Sequence, residues 1–200
     1  MHGIPKIVLA SGSQIRRNLL RSAGLNFTVR IGSVDEAAIK TKHLSLGKSL
    51  EELPYTLALA KAKSVDRNEL EIIIGADQIM EIDGQVFDKP KSMSEARTRL
   101  ISMRGKTHRL IGNVTCIEKG QNPWAHSSET ILKMRNFSDM FLDDYLNKEG
   151  EDILTSVGAY MFERRGVGLF EHVKGDFFSI LGLSLLPLLA HLRVRRAILS

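Results

Sequence analysis

The chain has 200 residues, 43% of them hydrophobic, enough for one substantial core, with no linker, repeat or low-complexity tract. A net charge of +5 and a sequence pI of about 9.4 suit a polyanionic partner, nucleic acid or a small phosphorylated molecule, and equally a solvated basic surface. The single cysteine, Cys116, excludes an internal disulfide and a paired-cysteine zinc site, and the longest apolar tract, ILGLSLLPLLAHL, falls short of the ~20 residues of a membrane span.

These features lead us to expect one soluble domain over residues 1–200 in a reducing cytoplasm. KIVLA at 6–10 has the pattern of a buried strand. SGS follows, then a helix from Gln14 to Ala23 with Ile15, Leu19, Leu20 and Ala23 on one face, Ser13 as its cap and Gly24 as its stop. NFTVRIGS is expected as a second strand leading to Asp35 and Glu36, placed in a solvated loop. A helix is expected over about 52–65, with Ser49/Glu52 and Pro54 giving competing starts.

EIIIGAD is expected as a strand closed by Asp77, and IMEIDGQVF as a hairpin turning at Asp83-Gly84. SMSEARTRLISMRG carries a Ser92/Glu95 capping box and a Gly105 stop. HRLIGNVTCIE and SSETILKMRNF alternate like strands, SDMFLDDYLNKEG is a helix opened by Ser138, and the LLPLLAHLRV tail is helical. Interleaved strands and helices define an α/β protein.

Three places carry chemistry. A strand entering a helix through Ser11-Gly12-Ser13 leaves backbone N–H groups and a positive dipole end for an anion, with Arg16 in the first turn. Asp77 and the Asp35-Glu36 pair each follow a strand, where open α/β sheets bind ligands, and two carboxylates brought together there could hold Mg²⁺. Lys63 and Lys89 could help neutralise a triphosphate. Neither GxxxxGK[ST] nor GxGxxG occurs, and no HExxH or GxSxG supports a metalloprotease or serine triad.

LASGSQIRRNLL, GADQ, DGQVFDKP, RGKTHRLIG and VGAYMFERRGVGLFEHVKGDFFSILGL, in that order, resemble the motifs of the Maf family of nucleotide pyrophosphatases, over nearly the whole chain. The resemblance implies an inosine-triphosphatase-like fold, an elongated mixed sheet with flanking helices and two lobes around a cleft, often dimeric. It implies cleavage of a nucleoside triphosphate to monophosphate and pyrophosphate with a divalent cation, Mg or Mn. By this resemblance Asp77 is the proton acceptor, Ser11, Arg16, Lys63 and Lys89 lie on the phosphate side, and Glu36 shares the metal with Asp77. No stable nucleic-acid complex and no membrane association are expected.

The subgroup positions are Ile15, Gln78 and Glu163, where the dTTP/UTP subgroup has Arg, Thr and Gln; Ser156 also replaces a usual Lys. Gln78 and Glu163 resemble the subgroup acting on 7-methyl-GTP. A carboxylate can accept two hydrogen bonds from the N1–H and amine edge of guanine and favours the positive charge of an N7-methylated ring. Glu163 could otherwise pair with Arg164 or Arg165. Gln14 and Ser184 stand where the family commonly has proline. A dTTP/UTP enzyme, and a nucleic-acid-binding or division-regulating protein without turnover, are the alternatives.

Overall fold

The computed structural model describes residues 3–199. In chain order the elements are β1 (Lys6–Leu9), α1 (Gln14–Ser22), β2 (Phe27–Val29), α2 (Glu36–Ser45), α3 (Leu53–Lys63), β3 (Glu71–Ile82) and β4 (Gln85–Phe87). Then follow α4 (Met93–Met103), β5 (Thr107–Ile117), β6 (Trp124–Met134), α5 (Asp139–Glu149), β7 (Phe170–Lys174), α6 (Phe177–Ile180) and α7 (Leu185–Val194).

The α/β class expected from the sequence is the one adopted. One sheet has the order β2-β1-β3-β5-β6-β7, with β4 on β3. It is mixed: β1 runs parallel to β2 and β3, while β4 is antiparallel to β3 and β7 to β6. The chain divides into two compact units, the first comprising residues up to Gln78, Gly112–Ser128 and Gly182 onward, the second Ile79–Ile111 and Glu129–Leu181. Among the described residues no helix is long and apolar enough to cross a membrane.

The first unit is built on the parallel pairs. Leu9 pairs with Ile74, and Ala10 donates to the Ile74 carbonyl, so the carboxyl end of β1 stops just short of Asp77. Val8, Ala10, Ala62, Ile73 and Ile117 form a buried cluster. The backbone of α3 comes so close to β3 that a Cβ on Gly75 would stand 2.1 Å from the Ala58 carbonyl oxygen. Glycine is required there by packing. The second unit has its own core, in which Met80, Leu100, Met103, Leu132, Met134 and Leu142 are essentially inaccessible.

Local chemistry sets most helix starts. Ser13, Ser92 and Ser138 each accept from a backbone N–H three residues on (3.5, 3.1 and 3.2 Å). The turn between β3 and β4 has positive φ at both Asp83 and Gly84, as its type I′ sequence demands.

Three expectations are corrected. Asp77 does not close its strand, because β3 runs on without interruption to Ile82, carrying the chain from the first unit into the second. Asp35 and Glu36 do not lie in a loop: Asp35 caps α2, accepting from Ala38 N at 2.9 Å, and Glu36 is its first residue. Ser49 makes no side-chain cap, and α3 starts with Pro54 in its first turn, preceded by a 3₁₀ turn at Leu50–Glu52.

Candidate active site

Four elements of the first unit bring charged side chains together. Asp77, on β3, is 7% exposed. Its Oδ1 accepts from Lys61 Nζ at 2.6 Å. The same ammonium lies 2.9 Å from Glu36 Oε2. Lys61 therefore holds the first carboxylate of α2 and the mid-strand carboxylate of β3 on one cationic centre.

Arg16 projects from the first turn of α1 and is itself buried. Its Nε donates to the Gly182 carbonyl at 2.8 Å, and its Nη1 to the Ala76 carbonyl at 2.8 Å and Ser11 Oγ at 3.3 Å. Nη2 carries the remaining two N–H groups. Ser11 Oγ also accepts from Ser13 N at 3.3 Å, which shapes the loop between β1 and α1.

Burial pushes the Asp77 carboxyl above the usual carboxylate range, with Lys61 and Arg16 opposing the shift and Glu36 adding to it. Burial likewise lowers the Arg16 guanidinium from its ordinary value, against the pull of Asp77 and Glu36. A desolvated carboxylate facing two cations and a second carboxylate is the environment expected of a proton acceptor working on an anionic substrate.

The resemblance places Lys63 on the phosphate side, and the structure brings Lys61 to the carboxylates instead. The helix exposes Lys63, while Lys61 is half-buried and reaches Asp77. A signal was available. Lys61 shares an i, i+3, i+4 row with Leu57 and Ala58, both buried, and so flanks the packed face of α3.

Glu36 and Asp77 suit a hard divalent cation, which takes a few carboxylate oxygens and completes its shell with water and phosphate oxygens. Their convergence on a single ammonium marks where positive charge is accommodated. Among the described residues no group of three or more His, Cys, Asp or Glu side chains is placed to hold a metal ion.

Ile15 is half-buried on α1, and the half-buried Gln78 follows Asp77. Lys89 and Glu163 belong to the second unit, both exposed, with Lys89 just beyond β4. Glu163 lies in a tight turn in which Arg164 N and Gly166 N both donate to the Met161 carbonyl at 3.1 Å. A Cβ on Gly166 would meet that carbonyl oxygen at 2.4 Å. Met161 N donates to Tyr145 Oη at 3.3 Å, and Arg165 N to Glu149 Oε1 at 3.3 Å. Arg164 pairs with Asp152 at 2.6 Å and lies 3.7 Å from Glu149. Below the turn, the Tyr160 hydroxyl meets a ring nitrogen of His108 at 2.8 Å, and burial holds that imidazole down at about 4.

A serine-bearing loop between β1 and α1, a buried carboxylate and two cations on an α/β sheet are groups suited to an anionic substrate. Residues 6–195 match the family described as Maf-like protein, and the chain belongs to that family. It is 41% identical over 194 residues to a nucleoside triphosphate pyrophosphatase of Granulibacter bethesdensis, covering 96% of this chain and 98% of that protein. It is 42% identical over 195 residues to a 7-methyl-GTP pyrophosphatase of Rhizobium meliloti, covering 97% and 98%. A 7-methyl-GTP pyrophosphatase of Bartonella henselae is 44% identical over 188 residues, 94% of each chain. Among solved structures, the Staphylococcus aureus Ham1 protein aligns at 14% identity and a TM-score of 0.42 over 66% of this chain and 72% of that one, too slight a likeness to bear on fold or function.

Proposed function

We propose that this chain is a nucleoside triphosphate pyrophosphatase whose preferred substrate is 7-methyl-GTP. The observation that carries the reaction is the Lys61 ammonium held between Asp77 and Glu36. Full-length relatives named for pyrophosphatase activity support the class, and the two named for 7-methyl-GTP support the base.

A water molecule attacks the α-phosphorus, the bond to the bridging oxygen of the β-phosphate breaks, and pyrophosphate leaves. Asp77 takes the proton from that water. Its raised carboxyl pKa brings its basicity closer to working pH, where a general base is most effective. Lys61 neutralises Asp77 and Glu36 until an anionic substrate competes for its ammonium. Lys61 then serves on the phosphate side in the role expected of Lys63, together with Ser11, the Nη2 edge of Arg16, and Lys89. Most of the rate gain in such chemistry comes from positioning and charge stabilisation.

A divalent cation, Mg or Mn, bound by Glu36, Asp77 and substrate oxygens would supply further charge neutralisation of the phosphates. Gln78 and Glu163 read the base. Arg164 pairs with Asp152, and the Glu163 charge also acts on it.

The test is pyrophosphate release by purified protein across a nucleotide panel with Mg²⁺ or Mn²⁺. The expected ranking places 7-methyl-GTP first. Better turnover of dTTP and UTP would overturn the assignment of Gln78 and Glu163, and absence of turnover on every nucleotide would overturn the enzyme reading.

A further inference from the structure

Gly112 lies buried inside β5, where glycine weakens a strand and calls for a local reason. The usual reasons are absent. Its φ is not in the left-handed region, so the backbone does not demand glycine. Packing does not demand it either. A Cβ added there would stand 3.0 Å from Ser128 Oγ, a hydroxyl that can turn away, and otherwise 3.8 Å from the Asp77 carbonyl oxygen and 3.9 Å from Gln78 Nε2. Gly75, on β3, is the opposite case, with a fixed backbone oxygen 2.1 Å from the corresponding point.

The space beside Gly112 is therefore bordered by a hydroxyl, a backbone carbonyl and a side-chain amide, within one residue of Asp77. Gly182 adds a second border without a side chain. A Cβ there would lie 3.6 Å from Gln78 Oε1 and 3.4 Å from Arg16 Nη2. Gln78 thus presents an amide donor toward one glycine and an amide acceptor toward the other. Flat heterocycles with donors and acceptors on their edges fit such a setting.

We propose that Gly112 is a specificity-determining position, its missing side chain being the room in which the edge of a purine base lies against the Gln78 amide and the Ser128 hydroxyl. This rests on the reading of Gln78 as a base-side residue. An added methyl group in a substrate pocket changes discrimination on the order of tenfold or more.

The experiment is steady-state kinetics of Gly112→Ala with 7-methyl-GTP, combined with inhibition by inorganic tripolyphosphate, which has phosphates and no base. KM for 7-methyl-GTP is expected to rise about tenfold, kcat to change less, tripolyphosphate inhibition to stay the same, and the melting temperature not to fall. Ser128→Gly added to Gly112→Ala is expected to leave the high KM in place. An unchanged KM overturns the proposal. So does an equal weakening of tripolyphosphate, which would mean general distortion, or restoration of KM by Ser128→Gly, which would mean simple crowding of that hydroxyl. If the wild-type chain turns over no nucleotide, the function reading fails separately. Calorimetric binding of 7-methyl-GMP then decides: binding lost in Gly112→Ala supports the proposal, and binding retained overturns it.

Discussion

Glu71 and Asp77 sit on one strand, six residues apart, at 9% and 7% exposure, yet their carboxyls shift in opposite directions. Glu71 has a donor on each oxygen: Arg30 Nη2 at 2.5 Å and Asn68 N at 2.9 Å. The hydrogen bond from Arg30 is the main reason its carboxyl is held down at about 2. Asp77 has the Lys61 ammonium at hand, and burial outweighs that pairing and the nearby Arg16 charge. The difference is which effect wins: hydrogen bonding outweighs burial at Glu71, and burial outweighs the pairing with Lys61 at the more deeply desolvated Asp77. The first ties Arg30 and Asn68 to the start of β3, and the second is a desolvated carboxylate that costs stability when ionised.

The comparison breaks most sharply at Asp77. Asp77→Asn is expected to lower kcat by about 10²–10⁴-fold while nucleotide binding persists, measured by pyrophosphate release and calorimetry. Because the folded carboxyl is raised, the folded chain binds more protons than the unfolded one as pH rises above the ordinary value of 3.8, and stability falls through that window. Asp77→Asn should therefore melt no lower than wild type at neutral pH, with any gain disappearing in acid below 3.8. A kcat within twofold of wild type would remove Asp77 from the chemistry.

Lys61→Met is the next largest effect. It removes the cation between Glu36 and Asp77 and should reduce kcat/KM about 10²-fold, whereas Lys63→Ala, on the exposed side of α3, should leave it unchanged. Equal losses in the two variants would restore Lys63 to the phosphate side.

Gly75→Ala drives a methyl group into the Ala58 carbonyl and should destabilise the fold by about 1–3 kcal/mol in urea unfolding. Wild-type stability in this variant would mean that α3 moves freely relative to β3.

The smallest effect is at Glu71. Glu71→Gln should cost about 1 kcal/mol at pH 7 with activity per folded molecule unchanged. The depressed carboxyl contributes stability above its ordinary value of 4.5 and loses it as pH falls toward about 2, so the variant's deficit should close across that interval. A deficit independent of pH would mean that Glu71 acts through packing alone.

Much of the fold was legible because its signals are local. The Ser92 and Ser138 caps, the Asp83-Gly84 turn and the alternation of β5 and β6 depend on residues close together in the chain. Asp77, Glu36, Ser11 and Arg16 are legible in the sequence as chemical groups near element ends; the structure places Asp77 and Glu36 on Lys61, and Arg16 on Ser11 and on the Ala76 carbonyl next to Asp77. The helix at Glu36–Ser45 escaped notice because it exposes most of its residues and has little apolar periodicity to reveal it. Lys61 escaped because two lysines one residue apart look alike until the side of the helix that packs is known.

By itself the sequence determined the α/β class, the family and the residue types available for acid–base and phosphate chemistry, since caps, periodicity and motif order are written along the chain. Only the tertiary structure decided that β3 continues past Asp77, that Lys61 rather than Lys63 meets both carboxylates, and that Gly75 is required by a neighbouring backbone while Gly112 is not. Each of those outcomes depends on distances between segments far apart in sequence. Such distances are fixed by sheet pairing and by the packing of α3 on β3.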